Sequence, residues 1–139
     1  MFDKCIYGLE IHPSGTIFVI DNVSSNDIEE LSVYCKCVNY SGNFLNIYVD
    51  SKDKEKVYEY IDHSSLAYKV YDNMSQLTVF GAGFSGDMSF IISVCKIIEE
   101  QGGGCYYISM SDIGVSFIFD TELLYSVKKK VYDIITFEF

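Results

Sequence analysis

The sequence predicts an α+β fold of two successive units, each ordered β-α-β-β-α-β, with an antiparallel sheet covered on one face by two helices. Three observations lead there. Met88, Ile91, Ile92, Cys95 and Ile98 are spaced 3, 1, 3 and 3 apart, the stripe of a helix packed on a sheet. The strand-like runs 105–110 and 115–119 are separated only by Ser111-Asp112-Ile113-Gly114, too short for anything but an antiparallel turn. The order of strand and helix signals before residue 74 recurs after it, which divides the chain into a first unit over 1–73 and a second over 74–139.

In the first unit, the lone proline, Pro13, marks a turn at His12-Pro13-Ser14-Gly15, and 16–20 (TIFVI) reads as a strand. Ser24, Ser25 and Asn26 are candidate N-caps for a short helix from Asp27 to about Val33, with Ile28 and Leu31 on one face. Residues 34–40 form a strand, Ser41-Gly42-Asn43 a hairpin turn, and 44–49 the returning strand. A helix over 52–61 turns Val57, Tyr60 and Ile61 inward. A strand over 66–71 closes the unit, and Asp72-Asn73 marks the boundary.

The second unit opens with a strand over 77–80. Gly102-Gly103-Gly104 ends the striped helix. Thr121 caps a last helix with Leu124, Val127 and Val131 inward, and 134–139 forms a final edge strand. A sheet this small leaves a face or an edge in need of a partner. The aromatic content of 16%, with 12 Tyr and no Trp, suits both sheet pairing and an extended interface.

The formal charge of -10 argues against nucleic acid and against anionic membrane surfaces as partners. The longest apolar runs fall short of a membrane span, and the start Met1-Phe2-Asp3-Lys4 lacks the pattern of a secretory signal. Five cysteines, an odd number without a signal, fit a reduced, cytoplasmic setting better than a disulfide framework. Cys35 and Cys37 share a face on the strand over 34–40, but no second Cys or His pair completes a metal site. Neither a metal nor a cofactor is expected. His12 and His63 lack partners that sequence can identify, and Lys128-Lys129-Lys130 reads as a solvated helix end. No catalytic set emerges.

The stretch 77–120 carries the clearest functional signal. Its first strand ends in Gly81-Ala82-Gly83, a loop with Ser85, Gly86 and Asp87 follows, and the striped helix begins at Met88. Loop amides and a helix N-terminus together can hold the carboxylate of a small molecule. Gly81-x-Gly83-x-x-Gly86 also matches the dinucleotide-binding fingerprint. That fold, however, needs a parallel strand reached through a crossover helix, whereas here the chain turns straight back after Asp112.

Val79, Gly81, Ala82 and Gly83, followed by Ile108, Ser109, Ser111, Asp112, Val115 and Ser116, resemble the V-x-G-A-G and I-S-x-S-E…I-S blocks of the second ACT domain of aspartokinases, the regulatory part of the kinase that opens lysine, threonine and methionine synthesis. The spacing between the blocks fits without a gap. The sequence departs from that pattern at Met88-Ser89, where the family has Pro-Gly, at Asp112 for Glu, and at Gly104 for Asn. The first half resembles the first ACT repeat more faintly, through Ile6-Tyr7-Gly8-Leu9, and its ligand loop and helix are shortened.

The resemblance implies two ferredoxin-like ACT units, the first of them degenerate, that bind a free amino acid, most simply lysine or threonine. It implies a homodimer through the ACT units and a tethered kinase domain in the parent protein, with no phosphotransfer by this chain alone. In the second unit it implies an effector site at Gly83, Ser85, Gly86, Asp87 and Met88, where the amides receive the α-carboxylate and Asp87 or nearby carbonyls the ammonium. Ser109, Ser111 and Asp112 would line the opposite wall, or a matching loop from a second ACT unit. The equivalent loop of the first unit is Asp21, Asn22, Ser24, Ser25 and Asn26. The alternatives are a degenerate ACT pair serving only dimerisation and a dinucleotide-binding fragment.

Overall fold

The computed structural model describes residues 5–84 and 88–135. Its elements follow the order β1 (Cys5–Asp21), α1 (Ser25–Ser32), β2 (Cys35–Ser41), β3 (Phe44–Val49), α2 (Lys54–His63), β4 (Tyr68–Ala82), α3 (Ser89–Glu100), β5 (Tyr107–Ser111), β6 (Gly114–Asp120) and α4 (Leu124–Ile134). This is a mixed α+β architecture with antiparallel pairing. Single 3-10 turns, Ser51–Asp53 and Thr121–Leu123, lead into α2 and α4.

Two compact units form. One is continuous, Ser14–Met74; the other combines the described residues before Ser14 with those after Met74. In sequence, the first is inserted into the second, so they are called here the inserted and the split unit. This differs from a division into 1–73 and 74–139. The turn expected at His12-Pro13-Ser14-Gly15 and the boundary expected at Asp72-Asn73 do not interrupt the chain, because β1 and β4 run straight through them. Their turn-forming residues become local irregularities instead, with Ser14 at φ 60° and Asn73 at φ 56°. A single left-handed residue bends a strand without ending it.

In the inserted unit the strand order is β2-β3-β1-β4. Thr16 to Asp21 of β1 pair with Val49 to Phe44 of β3, and β2 returns against β3 from the hairpin at Ser41 and Phe44. Phe18, Ile20, Leu45, Ile47 and Val49 point to one side, where they meet Leu31 of α1 and Val57 and Ile61 of α2. These side chains are almost fully buried, and each such burial stabilises by roughly 1.5–3 kcal/mol. Tyr60, expected inward, is only half-buried, because its hydroxyl donates to Asp27 at 2.7 Å. Lys54 at the start of α2 pairs with Asp72 of β4 at 2.7 Å, and Thr16 donates to the same carboxylate at 3.0 Å.

Cys35 and Cys37 do not share a face. A bulge between them sets Cys35 opposite Val49 and Cys37 opposite Tyr48, adjacent residues of β3. The extra residue in the bulged strand breaks the alternation on which the expectation rested.

In the split unit the order is β1-β4-β6-β5. Leu77 and Val79 of β4 and Val115, Phe117 and Phe119 of β6 pack under α3 and α4. On α4, Leu124, Val127 and Val131 are buried, as their spacing predicts. Thr121 does not cap that helix; its hydroxyl instead accepts a hydrogen bond from Ser75 at 2.8 Å. On α3 the buried residues are Phe90, Ile91, Val94, Ile97 and Ile98, whereas Met88 and Ile92 stay about half exposed. The helix is apolar on more than one side, so the stripe's spacing alone does not select the face that packs. Of the expected final strand over 134–139, Ile134 instead ends α4, and 136–139 lie outside the described residues. The strand beside β4 is β1.

Candidate functional site

The split unit gathers one group of expected site residues at the end of β4. There Gly83 adopts φ 87°, a left-handed conformation that favours glycine, and turns the chain out of the strand. Phe84 then plunges into the core, 1% exposed, with its ring centroid 5.4 Å from that of Phe90 on α3. Ser85, Gly86 and Asp87 lie outside the described residues. Met88 takes the N-cap position of α3 without a side-chain cap, and its carbonyl accepts from the Ile92 amide at 2.9 Å.

The β5–β6 turn is held at this same end. The Gly81 amide donates to the Ile113 carbonyl at 2.8 Å, and a Cβ on Gly114 would lie 2.6 Å from the Val79 carbonyl oxygen. Only a residue without a side chain allows β6 to start this close to β4. Ser111 and Asp112, at the end of β5 and in this turn, therefore lie at the same end of the sheet as the Gly81–Gly83 bend. Ser111 also accepts from the Ile113 amide at 3.3 Å.

Ser109 lies further along β5, opposite Ser116. Its neighbour Ile108 packs into the core, so strand alternation turns Ser109 and Ser111 to the face away from the helices. On that face Ser116 shares a 2.8 Å hydrogen bond with Thr78. Ser109, Ser116 and Thr78 thus form a hydroxyl row across β5, β6 and β4. Sequence reasoning missed Thr78 because register is set by pairing rather than by local spacing.

The pairing also decides between folds. β5 and β6 run antiparallel, from Tyr107 opposite Ile118 to Ser111 opposite Gly114. Among the described residues the crossover to a parallel strand that a dinucleotide fold requires is not there, and that alternative falls.

In the inserted unit, the five loop residues have different tasks. Asp21 is the last residue of β1, and its amide donates to Ala67 at 2.9 Å. Asn22, at φ 56°, turns the chain and donates its amide to Asn43 at 3.0 Å. Ser24 caps α1: its hydroxyl accepts from the Asp27 amide at 3.1 Å, while the Asp27 carboxylate accepts from the Ser24 amide at 2.8 Å. Ser25 and Asn26 are exposed in the first turn. Asp27 was not among the expected site residues, although the Ser-x-x-acid spacing signals this reciprocal cap.

The Ser24 amide, and after it the Tyr60 hydroxyl, hold the Asp27 carboxyl below the usual carboxylate range. A depressed folded-state pKa contributes stability that is present above the unfolded value and lost as pH falls through the folded one. Asp27→Asn should therefore lose about 1 kcal/mol at neutral pH, with the gap to the wild type narrowing in acid. Urea unfolding at about pH 7 and about pH 3 measures both ends.

An open groove of about 490 Å³ lies on the inserted unit, with Val19, Asp21, Phe44, Asn46, Lys69 and Tyr71 among its lining. Of the loop residues expected to bind, Asp21 reaches it. Burial pushes the Cys35 thiol up to about 11 and the Cys105 thiol up to about 12, so neither of these two is a nucleophile at neutral pH. Among the described residues no cluster of His, Cys, Asp and Glu could hold a metal ion, and no helix is long and apolar enough to cross a membrane.

The fold is that of the regulatory portions of aspartate kinases. The chain matches the regulatory subunit of aspartate kinase from Thermus flavus with a TM-score of 0.78 at 9% identity, over 93% of this chain and 97% of that one. It matches a C-terminal regulatory domain, described as putative, of aspartate kinase from Porphyromonas gingivalis W83 with a TM-score of 0.65 at 17% identity, over 93% and 96%. Against E. coli aspartokinase III in complex with lysine and aspartate (T-state), the TM-score is 0.71 at 12% identity, covering 96% of this chain and 34% of that enzyme. No protein-family model matches the sequence. No curated protein matches it by sequence either.

Proposed function

We propose that the chain is the regulatory region of an aspartate kinase, built as a pair of ferredoxin-like ACT units that bind a free amino acid. The observation that carries this reading is the extent of the match: nearly the whole chain superposes on nearly the whole of the Thermus flavus regulatory subunit. Lysine or threonine is the effector the reading favours, and the E. coli neighbour was solved with lysine. In the split unit the site is the bend after β4, with Gly83 turning the chain, amides at the start of α3 receiving the carboxylate, and Ser111 and Asp112 held alongside. The chain works as a homodimer through its ACT units, in the cytoplasm, and acts on a kinase domain tethered to it rather than transferring phosphate itself. The effector shifts that kinase only by its difference in affinity between two states, about 1–3 kcal/mol in typical cases.

Calorimetry against the twenty common amino acids tests this. The expected result is saturable binding of lysine or threonine, weakened about tenfold by Asp112→Ala through loss of a charged hydrogen-bond partner. Silence across all twenty overturns it. One observation favours a second reading, a pair retained for dimerisation: the half-exposed apolar side chain of Met88 stands where the resembling family carries proline. A dimer in solution that responds to no amino acid selects that reading.

A further inference from the structure

We infer that the groove on the inserted unit binds a neutral, zwitterionic amino acid with an apolar side chain. The site is separate from the bend after β4. Strand alternation builds it. Phe18 and Ile20, Leu45 and Ile47, and Val70 face the helical core, so their neighbours Val19 and Asp21, Phe44 and Asn46, and Lys69 and Tyr71 face the other way.

The charges in the groove are one acid and one base. The Asp21 amide bonds to the Ala67 carbonyl, which sets Lys69 two residues further along the neighbouring strand. Such diagonal positions stand about 7–8 Å apart. Among the described residues no ion pair joins either side chain to another. An α-ammonium and an α-carboxylate on one carbon, each with a hydrogen bond of about 2.8 Å, span a comparable interval. Asp21 takes the ammonium and Lys69 the carboxylate, with the Asn46 amide between the strands able to donate or accept.

The same lining sets the ligand's side chain. With Asp21 and Lys69 each engaged, a lysine side chain would bring a second cation and meet no second acid, and an aspartate side chain would meet no second base. What remains is apolar and aromatic: Val19, Tyr71 and the half-exposed ring of Phe44. Opposed charges at one end and an apolar wall at the other is the usual composition of a small-molecule site. Phenylalanine and leucine are the natural probes.

The test is calorimetry of the whole chain with L-phenylalanine, L-leucine, L-lysine, L-threonine, 3-phenylpropionate and phenethylamine. Phenylalanine or leucine should bind saturably, and the two analogues, each lacking one charge, should bind about tenfold more weakly or worse. Lys69→Gln and Phe44→Ala change exposed side chains and leave the core intact. Each should weaken phenylalanine by about tenfold while leaving lysine and threonine binding unchanged. The inference is overturned if neither apolar amino acid binds, if both variants bind phenylalanine like the wild type, or if Phe44→Ala converts a dimer to a monomer, which would mean a second copy covers the groove. Lysine or threonine binding without phenylalanine or leucine binding removes the groove and spares the regulatory reading. The reverse result removes the lysine or threonine effector and spares the groove.

Discussion

Phe84→Ala is expected to destabilise the split unit by about 3–5 kcal/mol, the cost of deleting a fully buried aromatic from a core that cannot collapse around the void. Phe84 is 1% exposed and sits against Phe90 on α3. It is also the residue directly after the Gly83 turn, so its ring ties the bend after β4 to the helix. Without it, the chain between β4 and α3 keeps the turn but loses its anchor. The amino-acid response proposed for that bend should weaken well before global unfolding, as local openings become cheaper than the global one. Denaturant midpoints and calorimetry on the same preparation separate the two effects. A variant with an unchanged midpoint would show that the ring contributes little to either.

Gly114→Ala should cost about 2–4 kcal/mol, combining overpacking with a lost hydrogen bond. Its Cβ would sit 2.6 Å from a backbone oxygen, that of Val79, and 3.2 Å from the Phe80 Cα. Backbone cannot rotate away as the end of a flexible side chain can. The turn must lift, and with it goes the bond from the Gly81 amide to Ile113. Ser111 and Asp112 then move away from the Gly83 bend. Thermal unfolding measures the stability, and the affinity for lysine or threonine measures the displacement. A midpoint within error of the wild type would contradict the close approach of β6 to β4. Gly103→Ala is a useful contrast: its Cβ would clash with the Cδ1 of Leu123, the tip of a side chain that can change rotamer, and otherwise make ordinary contacts with side chains.

Much of this arrangement is readable from local sequence, and where reading fails, nonlocal contacts account for it. The β5–β6 hairpin is legible because only two residues separate the strands, too few for anything but an antiparallel return. The Ser41-Gly42-Asn43 turn is legible for the same reason. The inward face of α4 is legible because apolar residues occupy one side alone. On α3 they occupy two, and tertiary packing decided which side is buried. Pro13 and the Asp72-Asn73 pair read as punctuation yet sit inside long strands, with the left-handed turn confined to single residues, Ser14 and Asn73. Of the candidate site residues, those whose role is local could be recognised: Gly83 by its turn and Ser24 by its cap. That Asp21 and Lys69 line one groove depends on the pairing of β1 with β4, which no window along the chain contains.

The sequence break in the split unit has a consequence for how the chain is made. Residues 5–13 leave the ribosome before the rest of the two units, yet the part of β4 beyond Met74, with which they share a unit, emerges only after all of Ser14–Met74. At a synthesis rate of about 5–20 residues per second, the leading segment waits for seconds with its edge unsatisfied. Meanwhile the uninterrupted middle portion has everything it needs to fold. Nascent-chain length thus sets an order of assembly, in which residues 5–13 are among the last of the two units to find their place.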